Sequence, residues 1–281
     1  MMELKNTVLD IGLERPIRLL HATDSHLPLC DERDDARKQA LAARRQSHFP
    51  EAEANLLEQI AYAEAHCDLL VHTGDLMDFV SQANVERARE ILKNERIFFI
   101  AGNHEYTQYM GEAWEDMAYR MNSYIQMGRG LGVNMFYNSR ELGGVNLVAI
   151  DNAYHQVEPW QTERLRLEEK KGLPIVLLLH VPLFEQGLYE RALAREKGEA
   201  AYLMGCDEEH LLPYTEFRSV EQRPSPATQA FMDYLNGGGH SVRAVLAGHV
   251  HFSFESILPC GVPQIVTGLG ALGEAREITI R

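Results

Sequence analysis

Five apolar runs in this chain each end in a short group of Asp, Asn or His residues, and this repeated pattern constrains the fold most. The runs are typical of buried strands, and the groups that follow them are Asp24-Ser25-His26, Gly74-Asp75, Gly102-Asn103-His104-Glu105, His180 and Gly248-His249-Val250-His251. One polar strand end is common by chance. Five in one chain indicate a site, because ligands of parallel sheets collect outside the carboxyl ends of the strands.

Helices are predicted between these runs, so that strands and helices alternate along the chain. They are expected near residues 51–66, 82–94 and 226–236, with a helix-like stretch near 112–127 and further strands around 133–138 and 145–151. Such alternation is typical of an α/β domain with a largely parallel sheet. Residues 1–281 are therefore expected to form a single domain.

Two polar segments interrupt this order, at about 28–50 and 183–225, and neither has a clean helical or strand period. The first is charged and irregular, and the second is interpreted as an insertion or lid. Both follow the polar end of a predicted strand, so by position they should border the site and set the choice of substrate. Residues 252–281 are expected to form short strands and turns that close the sheet.

Composition narrows the possible partners and locations. The formal net charge is −14, and such a surface repels polyanions, so nucleic acid is not an expected partner. No apolar run approaches the ~20 residues that cross a bilayer, and charged residues such as Lys5 and Asp10 interrupt any signal-peptide core. We therefore expect a cytoplasmic protein without a membrane partner. The four cysteines are scattered, which argues against a disulfide framework or a thiolate zinc site.

The residue types at the strand ends favour transition metals. In extended chain, residues two apart point to the same side, so Asp24 and His26 can converge. Carboxylates, an amide and imidazoles without a thiolate favour Mn²⁺, Fe²⁺/³⁺, Zn²⁺, Co²⁺ or Ni²⁺ over Ca²⁺ or Mg²⁺. Seven such ligands exceed what one tetrahedral zinc takes and suit two metals that share a carboxylate. A phosphoryl anion would balance the remaining positive charge, and a bridging hydroxide would be an available nucleophile.

The five groups, in this order, resemble the motifs of the calcineurin-like metallophosphoesterases over about residues 17–255. The resemblance implies a four-layer α/β/β/α sandwich that carries a dinuclear metal centre. It implies one metal held by Asp24, His26 and His251. It implies a second held by Asn103, His180 and His249, with Asp75 bridging the two. His104 would not be a ligand but would protonate the leaving oxygen or stabilise charge on the phosphoryl group.

Asp78 is a further candidate. The spacing from Asp75 to Asp78 is similar to that in protein Ser/Thr phosphatases, where the second Asp orients the catalytic histidine, whereas a helix N-cap is the structural alternative. The run Asp75-Leu76-Met77-Asp78-Phe79 lacks the Arg that follows in those phosphatases. Purple acid phosphatases place a metal-binding Tyr where Asp78 stands and lack an equivalent of His26. The remaining resemblance is to the bacterial group that contains cyclic-nucleotide phosphodiesterases.

Structural interpretations are favoured for several other polar residues. His21 and His72 lie inside predicted strands and are expected to pack in the core rather than to bind metal. Tyr154 and His155 are expected in a surface turn, although they could instead rim the site. Four arginines in the first polar segment could clamp a phosphate but are expected on a solvated face: Arg33, Arg37, Arg44 and Arg45.

The leading hypothesis is a hydrolase that cleaves a phosphodiester or phosphomonoester of a small phosphorylated substrate by in-line attack of a metal-bridging hydroxide, with Mn, Fe or Zn bound. A DNA nuclease is one alternative, and the acidic composition argues against it. A metal-bearing interaction module without catalysis is another, and the complete set of ligand positions together with His104 argues against that. The sequence leaves the substrate, the metal pair and the oligomeric state open.

Overall fold

Two β-sheets face each other and carry helices on their outer sides, in a computed structural model that describes residues 2–110 and 116–281. This arrangement confirms the predicted α/β/β/α sandwich. The sequence pattern alone indicated one largely parallel sheet. The strands divide into two sheets because most are apolar enough to be buried on both faces, against a helix layer and against the other sheet.

The first sheet has five strands and contains three of the predicted strand ends. Its spatial order is β1 (Glu3–Leu9), β11 (Glu274–Ile280), β2 (Ile17–Ala22), β3 (Leu69–His72) and β4 (Ile97–Phe99). Strands β2, β3 and β4 are parallel, whereas β11 runs antiparallel to β2 and parallel to β1. Strand β1 was not predicted, because among its residues only Leu9 is buried and no apolar run marks it.

The second sheet has six strands and contains the other two strand ends. Its order is β5 (Tyr137–Leu142), β6 (Val145–Ile150), β7 (Ile175–Leu178), β8 (Val242–Ala247), β10 (Pro263–Val266) and β9 (Phe254–Ile257). The four inner strands are parallel, and β5 and β9 are antiparallel edges. The strand expected at 133–138 begins later, at Tyr137, since the Asn134 side chain accepts hydrogen bonds from Phe136 N and Tyr137 N and forms a turn there.

Helices cover both outer faces. They are α1 (Ala36–His48), α2 (Ala52–His66), α3 (Gln82–Ile91), α4 (Met117–Gln126), α5 (Pro159–Glu169), α6 (Gln186–Arg195), α7 (Glu208–Leu211), α8 (Glu216–Gln222) and α9 (Pro226–Asn236). The predicted helices at 51–66, 82–94 and 226–236 are confirmed by α2, α3 and α9. Of the stretch predicted at 112–127, α4 forms the later part, and residues 111–115 lie outside the described residues.

Both polar segments are more helical than expected. The first contains α1, and the second contains α6, α7 and α8. Helix α1 buries only Leu41 and Ala42 and is capped by the Asp35 side chain, which accepts a hydrogen bond from Lys38 N. With so narrow an apolar face, a helix leaves little periodicity in its sequence.

The central core lies between the two sheets, where strand side chains from both interdigitate. Leu19 and Val71 of the first sheet and Leu147, Val176 and Leu246 of the second belong to this layer and are fully buried. Such dry packing fixes the sheets against each other, so the strand ends of both sheets meet along one edge of the sandwich. Among the described residues, no helix combines the length and the apolar character that crossing a bilayer requires.

A buried ion pair ties helix α4 to the second sheet. The Arg120 guanidinium donates to Asp151, which follows β6, and Tyr106 Oη donates to the same carboxylate at 2.7 Å. The Arg120 and Asp151 side chains are 5% and 0% exposed. The Arg120 guanidinium also lies 5.0 Å from the Tyr106 ring centroid. Tyr106 directly follows the Asn103–Glu105 turn. Its bond to Asp151 therefore links that turn to the buried Arg120–Asp151 pair.

Replacing Arg120 should therefore destabilise the fold strongly. Arg120→Met leaves the Asp151 carboxylate buried without its cation, and the free energy of unfolding should fall by about 3–5 kcal/mol in chemical denaturation. Arg166→Met is the matched control, because Arg166 pairs with Glu163 on the solvated face of α5, and surface pairs contribute about 0–1 kcal/mol. Equal losses in the two variants would contradict this account.

Candidate metal centre

The five predicted strand ends meet at one edge of the sandwich. Asp24 and His26 follow β2, Asp75 follows β3, and Asn103 follows β4 in the first sheet. In the second sheet His180 follows β7, and His249 and His251 follow β8. The first sheet thus contributes four residues of the cluster and the second contributes three.

The backbone at this edge is left-handed, not extended as expected at Asp24 and His26. Five of the cluster residues have positive φ: Asp24 (54°), His26 (44°), Asp75 (53°), His249 (69°) and His251 (55°). Each such residue costs on the order of 1–3 kcal/mol and persists only where its surroundings hold it. The holding bonds run between strand ends: Asp24 N donates to Gly74 O, His26 N to Asp75 O, and His249 N to Asp24 Oδ2, each at 2.9 Å. Asp24 and His26 therefore converge because of these tight turns rather than strand alternation.

One group of donor atoms gathers around Asp24 and Asp75. His26 Nε2 lies 3.7 Å from Asp24 Oδ1 and 3.8 Å from Asp75 Oδ2. His251 Nε2 lies 3.3 Å from Asp24 Oδ1 and 3.0 Å from His26 Nε2. Ligand atoms of these four residues all lie within 4.8 Å of one another.

A second group shares Asp75. His180 Nε2 lies 3.3 Å from Asp75 Oδ2, 3.1 Å from Asn103 Oδ1 and 3.1 Å from His249 Nδ1. Asp75 thus belongs to both groups, which is the position of a shared ligand. The two groups contain the same residues as the two ligand sets that the resemblance implied, and their role as ligands stays a prediction.

The donor set fits cations. Asp24 Oδ1 is buried without a hydrogen-bond partner among the described residues, although an unsatisfied buried carboxylate oxygen is costly. His180 Nδ1 donates to Thr73 O at 2.7 Å, so in its neutral form the ring turns the Nε2 lone pair toward the cluster. His26 Nδ1 likewise contacts Asp78 Oδ1 at 3.0 Å, which leaves its Nε2 for the cluster. Ligand histidines in metal proteins are held in this way by a partner of the other ring nitrogen.

The pKa values of the cluster residues are set by the charges of their neighbours as well as by burial. Burial by itself would lower the pKa of His180, but the charge of Asp75 and its hydrogen bond outweigh burial and raise it to about 9. Burial would also raise the pKa of Asp24, yet the neighbouring His251 imidazole, whose Nε2 lies 3.3 Å from Asp24 Oδ1, brings it below its ordinary value. A bound cation would take the place of these protons, because it is the larger local charge.

His104 lies beside the shared carboxylate rather than within either group. Its Nδ1 donates to Asp78 O at 2.7 Å, and its Nε2 lies 3.9 Å from Asp75 Oδ2. The backbone N of His104 donates to Asp75 Oδ1 at 2.9 Å. Burial lowers the pKa of His104, but Asp75 and Asp78 oppose it and raise it to about 10. The ring is 12% exposed, toward the cavity.

Asp78 lies behind the two histidines and is not a helix cap. The cap of α3 is Ser81, whereas the Asp78 carboxylate is fully buried and contacts His26 Nδ1 at 3.0 Å and His104 Nδ1 at 3.4 Å. Arg45 donates to the same carboxylate through Nε at 2.5 Å and Nη2 at 2.7 Å. The expectation of a solvated Arg45 is therefore wrong: α1 carries it inward, where its guanidinium also lies 4.8 Å from the Phe49 ring.

His21 and His72 are core residues, as expected. Both are buried: His21 is hydrogen-bonded to Thr73 and Thr267, and His72 is hydrogen-bonded to Ser25.

Glu105 connects two of the turns in the cluster, a position that the sequence did not predict. Its carboxylate accepts from the backbone N of Asp75 (2.8 Å), Met77 (3.0 Å) and Gly102 (2.7 Å). Its place directly after Asn103-His104 was the available signal.

Tyr154 and His155 are not in a surface turn, as was expected. They are 8% and 4% exposed and line a cavity of about 680 Å³ beside the cluster. Burial, with the charges of His180 and Arg218, lowers the pKa of His155 to about 3. The alternative that they rim the site is the one the structure shows.

Comparisons with known proteins agree with this geometry at the level of the family. Residues 17–253 match the family described as calcineurin-like phosphoesterase. No curated protein sequence matches the chain significantly. A dimetal phosphatase from Danio rerio is 11% identical, covers 92% of this chain and 89% of its own, and has a TM-score of 0.45.

Two further solved structures are similar to a comparable degree. A Thermus thermophilus protein is 12% identical over 92% of this chain and 91% of its own, with a TM-score of 0.46. The phosphopantetheinyl hydrolase from Mycobacterium tuberculosis is 12% identical over 90% of this chain and 89% of its own, with a TM-score of 0.40.

The close approach of Gly248 to Asp24 gives a prediction. A Cβ at position 248 would lie 1.9 Å from Thr23 Oγ1 and 2.5 Å from Asp24 Oδ2, so Gly248→Ala must displace the carboxylate. We expect Mn²⁺ binding, measured by calorimetry, to weaken at least about ten-fold, the scale of losing a supporting contact. Gly187→Ala is the control, since its Cβ would meet only ordinary contacts of 3.4 Å or more. Unchanged Mn²⁺ affinity in Gly248→Ala would show that Asp24 does not contribute to the binding.

Proposed function

This chain belongs to the calcineurin-like phosphoesterases, and on that premise we propose that it hydrolyses an ester of a small phosphorylated substrate with two bound transition-metal ions. One observation carries the proposal: Asp75 Oδ2 lies within 3.8 Å of His26 Nε2 and 3.3 Å of His180 Nε2, so a single carboxylate joins two groups of donor atoms. Family members bind two metal ions, and two of the three His/Asp groups among the described residues share Asp75. The third group consists of His26, Asp78 and His104.

We assign the ligands as the residues are grouped. Asp24, His26 and His251 would hold one ion. Asn103, His180 and His249 would hold the other, with Asp75 shared. The mixture of imidazole, carboxylate and amide favours Mn, Fe or Zn. Bound there, the two ions would supply the positive charge that polarises the phosphoryl group and acidifies water.

The residues of the chain complete the reaction centre. His104 reaches the cavity beside Asp75 and is placed to donate a proton to the leaving oxygen, or to stabilise charge on the phosphoryl group, in an in-line displacement. The bond from His104 Nδ1 to the Asp78 carbonyl leaves Nε2 as the atom that faces the substrate. Asp78 is a positioning residue for His26 and His104, and Arg45 balances its charge.

The surroundings support a small substrate. A cavity of about 680 Å³ accommodates a compact ester, not a polymer. The formal net charge of −14 disfavours nucleic acid, which weighs against a DNA nuclease. We propose a cytoplasmic enzyme with no membrane partner, and a phosphodiester in preference to a monoester. The placement of His104 in the cavity argues for an enzyme over a non-catalytic module.

Turnover is the direct test. We expect the protein loaded with Mn²⁺, Fe²⁺ or Zn²⁺ to release p-nitrophenolate from bis-p-nitrophenyl phosphate, and less rapidly from p-nitrophenyl phosphate. Removal of metal with a chelator should abolish the release, because the ions would supply the charge that polarises the phosphoryl group and acidifies water. Metal binding without turnover of either ester, with all three metals, would overturn the proposal in favour of an interaction module.

His104→Ala should separate catalysis from metal binding. Because His104 lies outside both donor groups, metal affinity should stay within about three-fold, while kcat falls by about 10²–10⁴-fold, the range for general acid catalysis. His66→Ala, at the exposed end of α2, is the control and should leave both unchanged. A kcat within a few fold of the native value would remove His104 from the mechanism.

Asp78→Asn should affect both quantities. An amide at this position weakens the support of His26 and His104, so metal affinity should fall by about 10–100-fold, as for other residues that orient metal ligands. Arg45→Met leaves the buried Asp78 charge without its cation, and this variant should also have a lower kcat than the native protein. Arg44→Met, one residue away on the exposed side of α1, is the matched control. Native affinity in Asp78→Asn would show that the residue has no positioning role.

A further inference from the structure

The cavity beside the metal centre has a second wall that the hydrolytic chemistry does not need. Its floor contains His104 and His249, and its far side is formed by part of the 183–225 segment. Tyr202 and Phe217 from that segment line the cavity, and Tyr154 and Phe252 line it from the loops that follow β6 and β8. Four aromatic residues therefore line the cavity in which the organic part of an ester would lie.

Two residues of this wall share the left-handed backbone of the metal-centre residues. His155 has φ 60° and Tyr202 has φ 55°. Both rings meet His249 edge-on, with centroid distances of 5.5 Å and 6.2 Å. Left-handed backbone at non-glycine residues is costly, and such residues cluster at ligand-binding and active sites. Two rings with this backbone therefore lie against a proposed metal ligand.

His155 has unused hydrogen-bonding capacity. Neither of its ring nitrogens has a partner among the described residues, although the side chain is buried. A buried polar group without a partner is costly, and a ligand in the cavity that offers a donor and an acceptor would relieve that cost.

The charge of the wall argues against a polyanion. Arg218 is the cation that lies over the Tyr202 ring, at 5.0 Å from its centroid. Glu199 and Glu221 balance it at 3.1 Å and 2.9 Å, and Glu196 also lines the cavity. A second phosphate in this position would meet carboxylates, whereas a flat uncharged group would meet aromatic faces.

We propose that the ester's organic group is an uncharged aromatic ring system, an aryl group or a single nucleobase, held by Tyr202 and Phe217 and hydrogen-bonded by His155. This inference rests on the proposed function for the position of the phosphoryl group. It makes Tyr202 and His155 specificity-determining residues and gives the 183–225 segment its role. The aromatic ring of the substrate would contact Tyr202 and Phe217, and its phosphoryl group would lie beside His104.

Binding of phosphonates that cannot be hydrolysed tests the inference apart from turnover. Affinities of methylphosphonate, phenylphosphonate and a phosphonomethoxyethyl adenine are measured by calorimetry with the Mn²⁺-loaded protein. We expect the aromatic phosphonates to bind at least about ten-fold more tightly than methylphosphonate, since aromatic contact adds to area burial. If phenylphosphonate binds more tightly than the adenine compound, the substrate's ring is an aryl group. If the adenine compound binds more tightly, the ring is a nucleobase.

Variants locate the preference. Tyr202→Ala and His155→Ala should each remove most of the difference between aromatic and methyl phosphonates, measured as the ratio of the two affinities in the same Mn²⁺-loaded variant, because both rings also contact His249. Val220→Ala, which is 48% exposed on α8 and does not line the cavity, should keep the full difference. Circular dichroism of each variant excludes loss of the fold.

Equal affinities for methyl and aromatic phosphonates in the native protein would overturn the inference. So would a preference that persists in both Tyr202→Ala and His155→Ala. If the phosphonates bind with the expected preference but no ester is hydrolysed with any metal, the inference stands and the proposed hydrolysis fails. If esters are hydrolysed without aromatic preference, the reverse holds.

Discussion

The burial of two carboxylates in one place is the constraint on which this structure depends. Asp24 and Asp75 are 0% and 1% exposed, and unpaired buried charge is among the most costly features a fold can contain. The chain compensates with directed donors: Thr23 Oγ1 and His249 N to Asp24, and His104 N to Asp75. Imidazoles from both sheets face the remaining oxygens. Positive charge between them, from protonated imidazoles or from a bound cation, would complete the compensation.

The sandwich provides the rigidity that this arrangement needs. Each donor lies at the end of a strand whose side chains are packed between two layers, and short backbone bonds join one strand end to the next. Glu105 adds a further connection, because its carboxylate joins the turn after β4 to the turn after β3. In our proposal, substrate recognition falls to the helices and loops of the 183–225 segment, part of which lines the cavity.

The sequence predicted the parts of this molecule that apolar burial dictates. The strands before Asp24, Asp75, Asn103, His180 and His249 were recognisable because both of their faces are buried, and their common edge followed from parallel topology. Strand β1 and helix α1 were not recognisable, since each buries a narrow face. Long-range contacts were also out of reach: nothing local in the sequence pairs Arg45 with Asp78 or brings His155 to His249. The left-handed backbone at Asp24 and His26 could not be predicted, because the bonds that impose it come from Gly74 and Asp75, far along the chain.

The position of β11 has a consequence for how the protein is made. This strand, residues 274–280, lies between β1 and β2, and the turn before it donates from Gly270 N to Thr23 O and from Ala271 N to Asp24 O. During synthesis, chains emerge from the N-terminus onward. Until residues 270–280 have left the ribosome, β1 has no partner, one edge of β2 stays open, and the Asp24 turn lacks two of its bonds. The nascent protein therefore cannot complete the turn at Asp24 before β11 inserts, and a chain that terminates before β11 keeps an open sheet edge that is prone to aggregate.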